Sequence, residues 1–386
     1  MHHRFRVIVP AYLALFAWSI ASTVSVNGPV MPLYVQSLGI GVVEWSALAA
    51  SWALGMFVSE WIWGNLCDRV DRRALIALSL IGSSLLCYLF TLKSLVPKFI
   101  LLEFATGVMG VAVGPITRSY ISNESPEKST GLYMSLWWAF FALGRVIGPA
   151  VGGYIAQVLS YEYAFWMSAL LTLALAIFAI LSFPKQKSAQ SFQPSNVLSS
   201  ARFVLNIRSA RFLFASTVCV FMSRAVVNSF LPLYASEELG MSLAEVGVLV
   251  SLLFAAQLLA LPLVGWFADH FGRKRVVSAS ILICAGLFLL YFLAGNSSQL
   301  QLVTVVVGVG MASTSLLLAL VPDVTPRDLQ GASIGLYGSS EDLGVILGPL
   351  IFGFVWTIFG PVYIFAATSL ALFVGALLIF GIKEIR

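Results

Sequence analysis

The sequence predicts an all-α integral membrane protein, with twelve transmembrane helices in two pseudo-symmetric six-helix bundles. Three observations carry this. Of 386 residues, 59% are hydrophobic and only 10% are charged, with a mean hydropathy of +0.94; a soluble domain carries roughly 25% charged residues. The apolar runs are roughly 20 residues long, the length of a spanning helix and twice that of an outer-membrane strand. The second half of the chain also repeats the first at an offset of 200 or 201 residues.

Taken in order, the spans fall at 7–27, 44–66, 74–92, 98–120, 131–157, 163–183, 210–235, 243–267, 275–294, 300–321, 331–356 and 361–381. Before the first run stands the basic start His2-His3-Arg4-Phe5-Arg6. That run is long enough to span, and no small-residue cleavage site followed by a polar mature segment is seen, so it reads as a retained first helix. Lys and Arg fix the orientation. The start and the even-numbered loops hold nearly all of them, including Arg69, Arg72, Arg73, Lys185, Lys187, Arg273, Lys274 and Arg275; the other side has only Lys93 and Lys98. Both termini are therefore expected in the cytoplasm. The net charge of +5 follows from this asymmetry, so no nucleic-acid partner is implied.

Residues 184–209 form the one long polar, Pro- and Ser-containing connection. It divides the chain into an N-terminal bundle at 1–183, a cytoplasmic linker at 184–209 and a C-terminal bundle at 210–386. Within the linker, 197–207 has the pattern of a helix lying on the membrane surface.

The repeat pairs Pro32-Leu33-Tyr34 with Pro232-Leu233-Tyr234, Glu44 with Glu245, Gly64 and Asp68 with Gly265 and Asp269, and Pro126 and Gly131 with Pro326 and Gly331. Gly144, Gly148-Pro149 and Gly153 match Gly344, Gly348-Pro349 and Gly353. A register held across four helices marks two parallel halves around a central pathway. Cys67, Cys87, Cys219 and Cys284 are scattered along the apolar runs, with no metal spacing, and no Gly-rich phosphate loop is present. No metal or cofactor is expected, and ATP-driven pumping by this chain alone is disfavoured.

The doubled polar stretch is Gly64-Asn65-Leu66-Cys67-Asp68-Arg69-Val70-Asp71-Arg72-Arg73 and its echo Gly265-Trp266-Phe267-Ala268-Asp269-His270-Phe271-Gly272-Arg273-Lys274-Arg275. With twelve spans and a six-plus-six duplication, it resembles the major facilitator superfamily over essentially the whole chain. The first copy has Asp71 where the second has Gly272. The resemblance implies a conformational latch made of Gly64, Asp68, Arg72, Arg73, Gly265, Asp269, Gly272, Arg273 and Lys274. In it, Asp68 would face a helix N-terminus, and Arg72 or Arg73 would meet Glu124 or Glu127 after the fourth span. The alternative is a solvated turn that only sets orientation.

In the fifth span, Gly144-Arg145-Val146-Ile147-Gly148-Pro149-Ala150-Val151-Gly152-Gly153 resembles the glycine–proline motif of the family's twelve-helix drug:proton antiporters. Gly144, Gly148, Gly152 and Gly153 would let helices approach closely, and Pro149 would bend the chain. Such exporters usually carry an arginine four residues before a glycine in the fourth span; here, counting back from Gly107, that position is Glu103. At roughly 1.5 Å per residue, Glu103 and Arg145 lie at nearly the same depth in a core about 30 Å thick. The expectation is that they pair.

Ionisable groups inside a bilayer cost at least roughly 2.5 kcal/mol each, so they persist where they pair or face water. The proton-coupling candidates are Glu103, Glu341, Asp342 and Glu60, with Arg145, Arg224 and Arg118 as charge partners. Neighbouring helix residues point about 100° apart, so one of Glu341 and Asp342 can meet Arg224 while the other faces elsewhere. By the resemblance, the cavity wall comes from spans 1, 4, 7 and 10. Its candidates are Tyr12, Phe16, Trp18, Asn27, Met109, Met222, Asn228 and Met311, with Trp137 and Trp138 adding aromatic surface from the fifth span.

These readings imply a secondary transporter working by alternating access. Its partners would be a small-molecule substrate, protons and the lipid bilayer, and it would be a monomer in the plasma (inner) membrane with no enzymatic activity. A proton-coupled exporter of small lipophilic or amphipathic compounds is the leading reading. A carrier of a sugar, organic anion or lipid, and a non-transporting membrane receptor or structural protein of the same fold, stay open.

Overall fold

The computed structural model describes residues 2–67, 70–92, 96–126, 129–184, 197–326 and 329–382. Every regular element among these is helical. Eleven helices are long and apolar enough to cross a membrane, and a shorter apolar helix, Ile8–Val24, precedes them. The twelve are labelled in chain order. Helix α1 is His2–Val24, α2 Val42–Cys67, α3 Arg72–Phe90 and α4 the span Val96–Arg118. Helix α5 is Thr130–Val158, α6 Tyr161–Ser182, α7 the span Arg208–Glu237 and α8 Leu243–Phe271. Helix α9 is the span Arg273–Leu293, α10 the span Ser297–Val324, α11 Gln330–Phe359 and α12 Tyr363–Phe380. All twelve expected spans thus coincide with helices. The helix expected at 197–207 is present as Val197–Asn206.

Proline explains where the spans are interrupted. Its ring removes an N–H and crowds the carbonyl four residues earlier. Pro115 follows the break between Val96–Gly110 and Val113–Glu124 within the fourth span. Pro232 follows a π-helical turn, Val226–Phe230, in α7. Pro322 closes the 3₁₀ segments Ala312–Leu316 and Leu318–Leu320 in α10.

The chain forms two compact units. The first comprises Met1–Ile40, Ser51–Phe192 and Met241–Phe254. The second comprises Gly41–Ala50, Gln193–Gly240 and Ala255–Arg386. Helices α2 and α8 therefore each contribute one end to one unit and the other end to the other.

In the first unit α1 packs on α5 and α6, and α3 packs on α6. Glycine sets the α1–α5 distance: a Cβ on Gly144 would meet the Phe16 carbonyl oxygen at 2.9 Å, and one on Gly152 the Val24 carbonyl oxygen at 2.0 Å. Ser19 Oγ ties the pair by donating to the Phe141 carbonyl at 2.7 Å. Around this seam lies a core that includes Leu15, Leu80, Ile116, Tyr120, Trp137 and Phe183. In the second unit α7 packs on α11 and α12, and α9 on α12. Gly344 and Gly348 perform the same spacing there, against Val218, Phe221, Met222 and Ala225 of α7.

Candidate functional site

The glycine–proline string of α5 has two faces. Gly144, Gly148 and Gly152 turn to α1, whereas Gly153 turns to α8. A Cβ on Gly153 would stand 2.4 Å from the Leu243 carbonyl oxygen and 3.0 Å from Gly247 Cα. Two hydrogen bonds flank this crossing: Ala150 N–H donates to Ser251 Oγ at 3.0 Å, and Ala244 N–H to Gln157 Oε1 at 2.9 Å. In the second unit Gly353 of α11 faces Ser46 of α2, and a Cβ there would meet the Ser46 hydroxyl. Nearby, Trp45 Nε1–H donates to the Ser229 carbonyl at 3.2 Å.

Beside the string runs an aromatic wall. Tyr12 stacks on Phe140 at 5.1 Å, and its hydroxyl donates to the Tyr133 carbonyl at 2.9 Å. Phe16 meets Phe140 edge-on, and Trp18 stacks on Phe141. Trp137 is buried, stacks on Phe141 and donates from Nε1 to Thr117 Oγ1 at 3.1 Å. Trp138 is exposed and stands at right angles to Trp137, 4.9 Å away. The Arg118 guanidinium lies 4.5 Å from the Trp137 ring centroid and 5.6 Å from that of Trp138. Asn27 is half-buried at the turn between α1 and the short helix Val30–Ser37.

One expectation is corrected. Glu103 and Arg145 do not form an ion pair among the described residues. Glu103 is buried and acts electrostatically on the Cys87 thiol of α3, while the Arg145 guanidinium lies 3.9 Å over the Phe254 ring and 5.9 Å from Phe141. The two share a depth but point to different neighbours, because depth along a helix does not fix azimuth. Met109 is half-buried, lies over Gly82 of α3, and its carbonyl accepts from Ser79 Oγ. Arg73 Nη1 donates to the Ile180 carbonyl at the end of α6, at 3.0 Å.

The second copy of the polar turn shows the same device. Lys274 Nζ donates to the Ile382 carbonyl just past α12, and Arg273 approaches Asp323 at 3.9 Å. The turns themselves differ. Gly272 has φ +90°, a left-handed conformation that disfavours a side chain. Asp71 has φ −57° and caps α3, accepting from Arg73 N–H at 3.1 Å. Gly64 and Gly265 lie within α2 and α8, and Asp269 is exposed. Glu124 is half-buried and Arg72 is the first residue of α3. Asp68 and Glu127 lie outside the described residues, as does the side chain of Glu60.

In the second unit the Arg224 guanidinium lies 4.2 Å over Phe221. Phe221 meets Tyr337 edge-on at 6.5 Å. Tyr337 is buried, shares a hydrogen bond with Glu341 and feels the Arg224 charge. Sequence reasoning missed Tyr337; its signal was the four-residue spacing to Glu341, which places both on one face of α11. Asp342 is buried. Asn228 lies in the π-helical turn, Met222 backs onto Gly348, and the buried Met311 offers its carbonyl to Gln257 at 3.4 Å.

Twelve apolar helices, a duplicated polar turn and buried charges distributed through the helices define a multi-pass membrane transporter. The Major Facilitator Superfamily model matches residues 13–212 and again 213–385, and the chain belongs to that family. It is 26% identical over 338 residues to an uncharacterised MFS-type transporter of Methanocaldococcus jannaschii, covering 86% of this chain and 87% of the relative. It is 24% identical to the multidrug resistance protein MdtG of Enterobacter lignolyticus, covering 90% of this chain and 85% of that one. Identity to the staphyloferrin B transporter of Staphylococcus aureus is also 24%, over 83% of this chain and 80% of the relative. Among solved structures, a bacterial homologue of the lysosomal transporter Spinster, inward-facing and occupied, superposes with a TM-score of 0.82. It is 14% identical, with 98% of this chain and 97% of that one covered. The D-xylose–proton symporter gives 0.76 at 16% identity, over 98% of this chain and 97% of its own. At such identities these two speak for the fold alone.

Proposed function

We propose that this transporter is a proton-coupled exporter of small lipophilic or amphipathic compounds. It works by alternating access in the plasma (inner) membrane, with both termini in the cytoplasm. The observation that supports export most is the α5 string, whose Gly144, Gly148 and Gly152 seat α1 while Gly153 seats α8 at backbone contact. The similarity to relatives named multidrug resistance protein MdtG points the same way. The excess of Lys and Arg on one set of loops supports the orientation.

Two carboxyl sites, one per unit, are the coupling candidates. Glu103 is buried inside the first unit and forms no ion pair with Arg145 among the described residues. Glu341 and Asp342 sit in the second, where Glu341 reaches Tyr337 and the Arg224 charge acts on the same tyrosine. A carboxyl that trades its proton as the surrounding helices move links proton flux to substrate flux.

The test is uptake and efflux of a substrate panel in proteoliposomes, with and without a proton gradient. Substrate-dependent proton movement is expected in the wild-type protein and is expected to be lost in Glu103→Gln or Asp342→Asn. Substrate flux indifferent to the gradient would reject the proton-coupled reading.

A further inference from the structure

In the second unit one tyrosine joins a carboxyl to the backbone of a broken helix. The break falls at Leu318 of α10. In an α-helix the Leu318 carbonyl would take the N–H of residue 322, but Pro322 has none. The Val321 N–H takes it instead, in a 3₁₀ turn. The Leu318 N–H would itself reach the Thr314 carbonyl, which the Leu317 N–H occupies at 3.4 Å. Leu318 is bonded through its backbone to Tyr337, so its N–H, left over at the start of a helical segment, is the group that the tyrosine hydroxyl oxygen accepts. Tyr337 also shares a hydrogen bond with Glu341, one turn along α11. Tyr337 is buried, Glu341 is half-buried, and all three residues belong to the same unit.

The duplication supplies an internal comparison. At the offset of 200 residues that pairs Gly144 with Gly344, Tyr337 corresponds to Trp137 and Glu341 to Phe141. Trp137 also ties its helix to the preceding span, donating from Nε1 to Thr117 Oγ1 at 3.1 Å. The tie recurs in both halves, but only in the second does an ionisable group stand one turn along from it. A phenol has one proton to give. While Glu341 is ionised it can only accept, so the Tyr337 O–H donates to it, and that charge-assisted bond makes the tyrosine oxygen a better acceptor for the Leu318 N–H. Once Glu341 takes a proton from water, its own O–H can donate to the tyrosine oxygen and compete with Leu318 for it, and the charge that strengthened the chain is gone. A 3₁₀ stretch inside a longer helix is a place where such a release can change the winding.

Resting on the reading of Glu341 as a coupling carboxyl, we infer that Tyr337 is the positioning residue that carries the protonation state of Glu341 to α10. Ionised Glu341 holds the 3₁₀ segment through Tyr337; protonated Glu341 lets go of it. Other charges stand around the pair. α7 brings Arg224, whose charge acts on Tyr337, with Arg208 and Arg211 toward its start. α11 brings Asp342, the helix Val197–Asn206 brings Arg202, and the end of α10 brings Asp323, 3.9 Å from Arg273. α12 carries no acid or base from Ile364 to Phe380.

The test is hydrogen–deuterium exchange of the full-length protein in nanodiscs across the pH range in which it stays folded. It is read on the peptide covering residues 312–320 and corrected for the intrinsic exchange rate. In the wild type this segment should lose at least about fivefold protection as pH falls, the margin between a charge-assisted and a neutral hydrogen bond. Tyr337→Phe keeps the ring against Phe221 and removes the hydroxyl. It should leave the segment weakly protected at every pH and lower proton-driven flux in proteoliposomes. Glu341→Gln, which cannot ionise, should show the low-pH protection throughout, and it decides the question if Tyr337→Phe misfolds. Asp342→Asn should keep the response to pH. Protection indifferent to pH in the wild type, a response that survives Tyr337→Phe or Glu341→Gln, or one abolished only by Asp342→Asn overturns the inference. The exporter reading fails differently. If flux ignores the proton gradient while the exchange response is intact, coupling falls and the Tyr337 link stands; if flux is proton-coupled and the exchange response is absent, the link falls and coupling stands.

Discussion

The Arg145 guanidinium lies 3.9 Å from the centroid of the Phe254 ring, and both residues belong to the same compact unit. A cation over an aromatic face contributes about 0.5–2 kcal/mol according to how far it is desolvated. Phe254→Leu keeps the volume but removes the ring quadrupole, so it should lower the midpoint of thermal unfolding in detergent by that equivalent. An unchanged midpoint would show that the ring is a bystander.

The same geometry bears on charge reversal. Because Glu103 and Arg145 form no ion pair among the described residues and the Arg145 guanidinium lies over Phe254 and near Phe141, a Glu103→Arg, Arg145→Glu double variant should transport no better than the worse single reversal. Recovery of activity in the double variant would mean that the two groups meet in another state of the cycle.

Glycine substitutions should separate two apparently equivalent crossings. A methyl at Gly153 would strike the Leu243 carbonyl oxygen and Gly247 Cα, both backbone, whereas at Gly353 its nearest obstacles are the hydroxyl and Cβ of the Ser46 side chain. Overpacking of a rigid site costs about 1–3 kcal/mol. Gly153→Ala should therefore lower both yield of folded protein and transport. Gly353→Ala should be milder and should improve further with Ser46→Gly. Equal damage at both sites in a thermal-shift and uptake comparison would contradict this.

At the polar turns, Lys274 and Arg73 each bond a carbonyl at the end of another helix, where a cation also meets the negative end of the helix dipole. The Arg273–Asp323 pair is 3.9 Å apart, with side chains 49% and 34% exposed, and such pairs contribute about 0–1 kcal/mol. Lys274→Met should thus cost more stability than Arg273→Gln, and high salt should erase the effect of the latter first. Chemical denaturation of the two variants at low and high ionic strength measures the difference.

The sequence legibly showed what repeats and what is apolar. All twelve spans, the linker helix and the two glycine strings were readable, because length and four-residue spacing translate directly into helix and contact face. What it hid was azimuth and local winding. Glu103 and Arg145 share a depth, yet the rotation of each helix carries them to different neighbours. The π-helical turn at Val226–Phe230 shifts the phase of α7 beyond it, which no strict 3.6-residue count anticipates. Tyr337 was overlooked because a buried tyrosine amid apolar residues resembles packing until its neighbour Glu341 is seen. Asp71 and Gly272 looked like a mismatch and a match to one pattern, and they are two working solutions to one turn.

That last pair has a bearing on anyone who would exchange parts between the duplicated halves. At Gly272 the chain bends through a conformation open chiefly to a residue lacking a side chain; at Asp71 it bends through an ordinary one, pinned by a carboxylate. A point swap in either direction inserts the wrong ingredient: Gly272→Asp places a bulky group where the backbone tolerates none, and Asp71→Gly unpins the start of its helix. Chimeras between the halves must therefore transplant each bend whole, together with the helix it launches.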